Sequence, residues 1–341
     1  MDRRLAPLLL FDYDRETTAN DSNDIDDAKF FFYSIPRKQL LSARVEEMRD
    51  HRFWITPQGW MLMAAPGSPD TFLWDPFTRG RIDLPPGSEG FLNSDGHNNK
   101  RCLLSSPTPV AGDPSCLVLV LDLTDTVFWY CRLGGDEPWL RHEYDPSTLG
   151  ATSRNAFLRS MSTLTSVDGK FFLSPCDKVV TLQFSPEPAF SVFPVNEDMS
   201  ISPPDYTCFT AQLVESGADL FRVRFRFSDI RSRFIAGISV FKLNLSDKTW
   251  VKAESLNGRV FVVHPYLHGA SVDPQETGLK GDCIYYCRPQ DKALRVYDME
   301  RGTTTLHNPA GYFANKLKTK LLKMYSLWKY TQHMKKATLL F

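Results

Sequence analysis

A strand-turn-strand unit recurs along this chain at intervals of roughly 45 to 61 residues, the period of a propeller blade. The clearest copies are Leu73 to Leu84, Val127 to His142, Val240 to Val251 and Ala293 to His307, each with a β-branched or aromatic run on either side of a polar turn. Two weaker copies are Lys29 to Arg44 and Thr181 to Val195. A lone hairpin cannot bury its apolar face, so hairpins in series require a common core. The expected architecture is an all-β propeller of six blades, with five as the alternative.

Composition fits a single body assembled by radial repetition. The 341 residues are 42% hydrophobic and 13% aromatic, which supplies enough apolar surface for several small cores. Formal charge is zero, so no long-range field draws nucleic acid to the molecule. The ends are polarised. Residues 1–28 hold 8 acids against 3 arginines, whereas residues 312–341 hold 7 lysines and no acid. These shifts divide the chain into a segment 1–28 with an acidic, mobile loop over 15–28, a propeller over 29–307, and a basic tail over 308–341.

The run Leu8-Leu9-Leu10-Phe11 ends at Asp12, too short for a signal-peptide core, and no stretch reaches membrane-spanning length. The 7 cysteines are odd in number and scattered, and Cys131 and Cys287 fall inside strand-like runs. The expectation is reduced, mostly buried thiols in the cytoplasm or nucleus, where the sequons at Asn20 and Asn244 meet no glycosylation machinery. Prolines and glycines cluster at turns such as Ala65 to Pro69, Leu84 to Gly87 and Ser202 to Asp205. Short helices are expected at Gln39 to His51 and Leu149 to Met161.

Several segments in order, Gly59 to Ala64, Trp74 to Pro86, Asp168 to Leu173, Leu213 to Phe225, Val240 to Leu256, Gly281 to Cys287 and Val296 to Gly302, together resemble the plant KIB-type β-propeller family. The resemblance runs over roughly residues 7 to 307. It implies a kelch-like propeller of the kind often found downstream of an F-box in substrate receptors of ubiquitin ligases. It carries no catalytic residues. The chain departs from the longer members in two places: its first 55 residues lack the leucine-proline-acidic opening and three-helix pattern of an F-box, and its basic tail is unlike the usual family ending.

Enzyme chemistry finds little purchase. Asp168-Gly169-Lys170-Phe171 lacks both the upstream glycine and the hydroxyl residue of a phosphate-binding loop, and no nucleophile elbow is present. His264 with His268 and Cys283 with Cys287 have zinc-like spacing on paper. Pro265 disfavours the helical turn that would unite the histidines. Residues four apart in a strand lie about 13 Å apart, whereas thiolates on one zinc lie within about 4 Å, so buried strand thiols are expected and no metal site. Ser246 to Trp250 resembles the aspartate-containing turn of sialidase-type propellers but lacks its glycine. An ordinary turn is expected there, with Asp247 bonding its own backbone and Trp250 packed inward.

Phe221 to Phe227 alternates strictly, so Arg222, Arg224 and Arg226 share one strand face. They meet carboxylates or solvent, or else form a surface for an acidic partner. In the tail, Phe313, Leu317, Leu321, Met324 and Trp328 recur at helical steps beside Lys316, Lys320 and Lys323, which predicts a short basic C-terminal helix. Such a helix suits calmodulin-like capture, anionic-membrane contact or nuclear import, or packs on the propeller.

The expected function is a non-catalytic protein-interaction module, with substrate recognition linked to ubiquitin-dependent turnover and a carbohydrate-active propeller enzyme as the alternative. No cofactor, metal, nucleic acid or direct cullin-adaptor contact is expected. Binding is expected to reside in face loops such as Gly90 to Arg101 and Arg132 to Trp139, and to survive deletion of residues 308–341.

Overall fold

A computed structural model describes residues 3–13, 29–87, 99–135, 137–151, 153–175, 178–185, 187–197, 209–228, 235–264, 269–287, 293–308 and 321–327. These form six antiparallel or mixed sheets of four or five strands each. From its innermost strand outward, the second blade runs Arg52–Ile55, Met61–Ala64, Thr71–Trp74 and Arg81–Leu84. The third runs Lys100–Leu104, Leu117–Asp122, Val127–Arg132 and Leu140–Glu143, and the fourth runs Thr165–Val167, Lys170–Leu173, Lys178–Phe184 and Pro188–Pro194. The fifth runs Phe209–Ser216, Asp219–Phe227, Ile235–Asn244 and Thr249–Lys252, with the two-residue strand Asn196–Glu197 added in parallel to its outer edge.

The sixth blade breaks the meander. Val260–Val263 returns through Gly269–Val272, which becomes innermost, and the chain then crosses back so that Cys283–Cys287 pairs in parallel with Val260–Val263. Leu294–Asp298 and Thr303–Leu306 complete it.

Innermost strands of successive blades lie against one another around the ring, from Leu321–Leu327 through to Gly269–Val272. One apolar cluster fills each junction between blades. Tyr33 and Leu9 meet Tyr285 and Val262 where the sixth blade closes on the first. Phe32 and Leu10 meet Met61 and Trp74 at the next junction, and Trp54 and Leu62 meet Val118 and Cys131 after it. Phe128 and Leu119 then meet Phe171 and Met161, Phe172 and Val179 meet Phe241 and Trp250, and Phe225 and Val223 meet Phe261 and Tyr286. The core is therefore six inter-blade layers closed into a ring, and the fold is a six-bladed β-propeller.

Each of the six hairpins legible in the sequence is the outer half of one blade. Those outer strands keep at least one side wet, and Arg81–Leu84 shows the resulting alternation most clearly (exposed, buried, exposed, buried). Inner strands such as Met61–Ala64 and Val260–Val263 are buried throughout and show no alternation.

Three sequence expectations change. Gln39 to His51 is not one helix: Gln39–Arg44 is the outer strand of the first blade and only Glu46–Arg49 is helical. Leu149 to Met161 contains a helix only from Arg154 to Met161, capped by the Ser153 hydroxyl accepting from the Ala156 N–H. The basic C-terminal helix is replaced over Leu321–Leu327 by a strand paired antiparallel with Leu8–Tyr13, Leu8 opposite Leu327 and Phe11 opposite Met324. Strand pairing wins there because it completes the ladder of the first blade, a non-local gain invisible to local periodicity. The first blade thus draws strands from both ends of the chain. The acidic segment 15–28 and the rest of the tail lie outside the described residues.

Candidate interaction surface

Arg222, Arg224 and Arg226 do share one face of Asp219–Phe227, but that face turns into the junction with the fourth blade. Arg222 is 2% exposed and Arg224 8% exposed. The Arg222 guanidinium lies over the rings of Trp250 at 4.4 Å and Phe241 at 5.2 Å, and that of Arg224 over Phe209 at 4.6 Å and Phe241 at 5.0 Å. The side chains interleave with rings as a cation-aromatic stack, an arrangement that a guanidinium's flat, weakly hydrated shape allows. Arg226 is half-buried and pairs across the strand with Phe209, whose side chain is 49% exposed at the start of the innermost strand.

Polar groups near the axis stitch blades together. Gln58 of the second blade donates through Nε2 to the Leu104 carbonyl of the third at 3.2 Å and to the Ser166 hydroxyl of the fourth at 3.0 Å, while that hydroxyl donates to the same carbonyl at 2.7 Å. Ser216 and Ser271 join the fifth and sixth blades at 2.8 Å, and Arg259 reaches Ser271 and Asp273 at 3.1 Å each. Arg101, buried at the junction of the third and fourth blades, donates to the Ser162 carbonyl, and burial pulls its pKa down to about 9.

Four described carboxyls are held below the usual carboxylate range. Ser115 and Ser147 bond Asp113 and Asp145 from hydroxyl and backbone, and Lys280 and the Arg301 N–H hold Asp298. Burial pushes Asp122 up, but Thr124 and Lys100 outweigh it. All four sit in turns or ion pairs, where an ionised oxygen is what the fold uses.

Cys102, Cys116, Cys131, Cys283 and Cys287 are buried and outside any disulfide, and Cys283 and Cys287 lie at the two ends of one strand. Burial raises the thiols of Cys102, Cys131 and Cys283, and that of Cys116 to about 11, so none is a ready thiolate. Among the described residues no group of three or more His, Cys, Asp or Glu side chains is placed to hold a metal ion. His268 and Pro265 lie outside the described residues. In the turn Ser246 to Lys248, Asn244 rather than Asp247 organises the backbone, its Oδ1 accepting from the Ser246 and Asp247 N–H groups. Trp250 is buried as expected. Trp139, at the end of one proposed binding loop, is also buried, its indole N–H donating to the Pro85 carbonyl at 2.9 Å and to Thr71. Residues 88–98, the body of the other loop, lie outside the described residues.

One feature escaped sequence reasoning. A groove of about 390 Å³ opens where the turn Ile35 to Lys38 of the first blade meets the outer strands of the sixth. Tyr285, Val296 and His307 are among its walls, and Lys38, Lys280, Arg301 and Asp298 line it. His307 stands edge-on to Tyr33 and Tyr285, with Nε2 3.1 Å from the Ile35 carbonyl oxygen. Burial, with Lys38 nearby, holds its pKa down to about 4, so the ring is neutral near pH 7. The contributing residues come from distant parts of the chain, so no local motif announced them.

A closed ring of six sheets around an axis defines the protein as a β-propeller. The chain belongs to the KIB1-4 β-propeller family, whose model matches residues 32–306. Among solved structures it is similar to Hsv2 of Kluyveromyces lactis, with 9% identity over 74% of this chain and 61% of that one and a TM-score of 0.31. It is also similar to a functionally unknown protein from Desulfotomaculum acetoxidans, with 10% identity over 95% and 100% and a TM-score of 0.44. A streptogramin B lyase gives 7% identity over 82% and 91% and a TM-score of 0.29. None of these likenesses carries over an activity. A search of curated proteins finds no significant match. Among the described residues no helix is long and apolar enough to cross a membrane.

Proposed function

We infer that this propeller is a non-catalytic protein-interaction module, a rigid ring that presents loops and blade edges to a protein partner, and that its role is recognition linked to ubiquitin-dependent turnover. One observation carries the reading: the chain closes into the six-bladed ring of the KIB1-4 β-propeller family, a rigid scaffold whose loops and blade edges are what it offers to a partner. The link to turnover rests on the family resemblance alone and stands as analogy.

Leu8–Tyr13, Lys29–Ser34 and Gln39–Arg44 are strands of the first blade, so these residues do not themselves supply adaptor-docking helices. The proposed mode is recruitment through another protein, or shielding of a target from adaptor-bound relatives. Within the arginine row, the half-buried Arg226, opposite the exposed Phe209, is the member nearest the surface and the one proposed to contact a partner. Affinity purification of the tagged full chain from plant tissue with mass spectrometry, followed by reconstitution of each hit with purified protein, tests the reading. A direct partner with a dissociation constant below about 10 μM is the expected result. Glycosidase turnover by the purified chain, or direct two-component binding to the cullin adaptor, overturns it.

A further inference from the structure

Outer strands of a propeller carry free backbone groups, and folds protect such edges with charge, proline or a covering segment. Five blades here do so. Gln39–Arg44 ends in a charge, Arg81–Leu84 and Leu140–Glu143 each carry charges of both signs, Pro188–Pro194 has proline at both ends, and Thr249–Lys252 is covered by Asn196–Glu197. The sixth differs. Its outer strand Thr303–Leu306 reads Thr-Thr-Thr-Leu, is exposed along its whole length, and no other strand among the described residues pairs with its far side.

This edge borders the groove at the closing junction, with Thr303 and Thr305 among its walls. Charge there is one-sided. Lys38, Lys280 and Arg301 line the groove against the single carboxylate Asp298, which Lys280 already holds at 2.7 Å. Arg301 reaches that carboxylate only at 3.9 Å and is 75% exposed, and Glu300, 80% exposed, stands 3.5 Å from Lys280 outside the groove. We propose that Thr303–Leu306 and this groove form a docking site for an extended acidic segment of a partner protein, which adds as a strand to the sixth blade and places acidic side chains at alternate positions beside Lys38 and Arg301. Main-chain pairing supplies affinity in this mode, and alternate side chains supply selectivity. The site deepens the interaction-module reading and rests on it.

A fluorescent peptide of alternating glutamate and valine, its alternating lysine-valine counterpart, and a block peptide with all glutamates followed by all valines separate the possibilities when titrated against the full chain. The alternating acidic peptide is expected to bind, more weakly as salt rises, and to slow backbone hydrogen exchange over residues 303–306. The block and lysine peptides are expected to bind about tenfold more weakly or less. The double reversal Lys38→Glu with Arg301→Glu is expected to invert the order, so that the lysine peptide binds better, a gain that an unfolded variant cannot show. Arg301→Gln alone, if the reversal fails to fold, is expected to weaken the acidic peptide by a few fold. Absent binding, binding without protection at 303–306, or a reversal that folds and leaves the order unchanged overturns the site. A partner captured by the wild-type chain and retained equally by the folded reversal would leave the interaction reading standing while removing this groove. Failure to find any direct partner would remove the broader reading by itself.

Discussion

Arg222 shows what a single strand position can hide. Its alternation with Phe221 and Val223 was legible, and so was its shared face with Arg224. That both faces are covered was not, because burial of the second face is set by the fourth blade, far away in sequence. A guanidinium 2% exposed over Trp250 and Phe241 stabilises through ring contact and stem packing. Arg222→Ala is expected to lower unfolding free energy by about 2 to 4 kcal/mol in urea titrations, against about 0.5 kcal/mol or less for Lys170→Ala at an exposed strand position. Equal, small effects would place Arg222 outside the stabilising layer. His307 makes a second test at this scale. Its folded pKa of about 4 lies below the unfolded value of 6.5, so the unfolded chain binds the extra proton as pH falls. Stability is fully present above the unfolded value and declines on acidification through the window between the two. The share of His307 in that loss is expected to approach about 1 kcal/mol per pH unit from pH 6 to pH 5, with His264, which burial also holds down to about 4, adding its own share in the same window. His307→Gln should flatten that part of the slope, and a variant with the wild-type slope would assign it elsewhere.

At the level of elements, the sequence displayed the outer hairpins and concealed the inner strands. Thr165–Val167 and Gly269–Val272 are short, buried on both sides and free of alternation, so neither length nor period distinguishes them from loop. The crossover that makes Cys283–Cys287 parallel to Val260–Val263 is likewise a matter of pairing, which no local pattern encodes. Turn chemistry was more transparent. Four of the six turns that enter the outer strands place a left-handed residue just before the strand: Lys38, Arg79, Lys248 and Gly302. Around Gly302 a new Cβ would find open space, so Gly302→Ala carries only the left-handed penalty of about 1 kcal/mol. Gly134 also has positive φ, but a Cβ there would lie 2.3 Å from the Gly112 Cα, against backbone. Gly134→Ala is therefore expected to cost clearly more than Gly302→Ala in the same melting assay. Equal losses would mean that the loop carrying Gly112 yields freely.

Across the whole molecule, the question is how a ring of blades closes. Two devices act at the first blade: the apolar layer around Leu9, Tyr33 and Tyr285, and the pairing of Leu321–Leu327 with Leu8–Tyr13. The first comes from residues inside the repeat region, and the second from a tail whose lysines and helical spacing made it resemble an appendage. On that reading deletion of residues 308–341 was expected to leave binding intact. Strand pairing gives that deletion a structural cost, because the cut removes the innermost strand of the first blade and leaves Leu8–Tyr13 as an open edge beside the axis. Losing its ladder and the burial it provides is expected to cost about 5 kcal/mol. A chain ending at residue 307 should then melt roughly 7 °C below the full protein and over a broader range, since the apolar layer still holds the sixth blade against the first. A chain ending at residue 328 keeps the strand and should melt with the full protein. A synthetic peptide spanning residues 321–328, added to the shorter chain, should restore much of the loss in a concentration-dependent way. If the chain ending at residue 307 melts unchanged, closure rests on the apolar layer alone and the terminal strand contributes nothing to it.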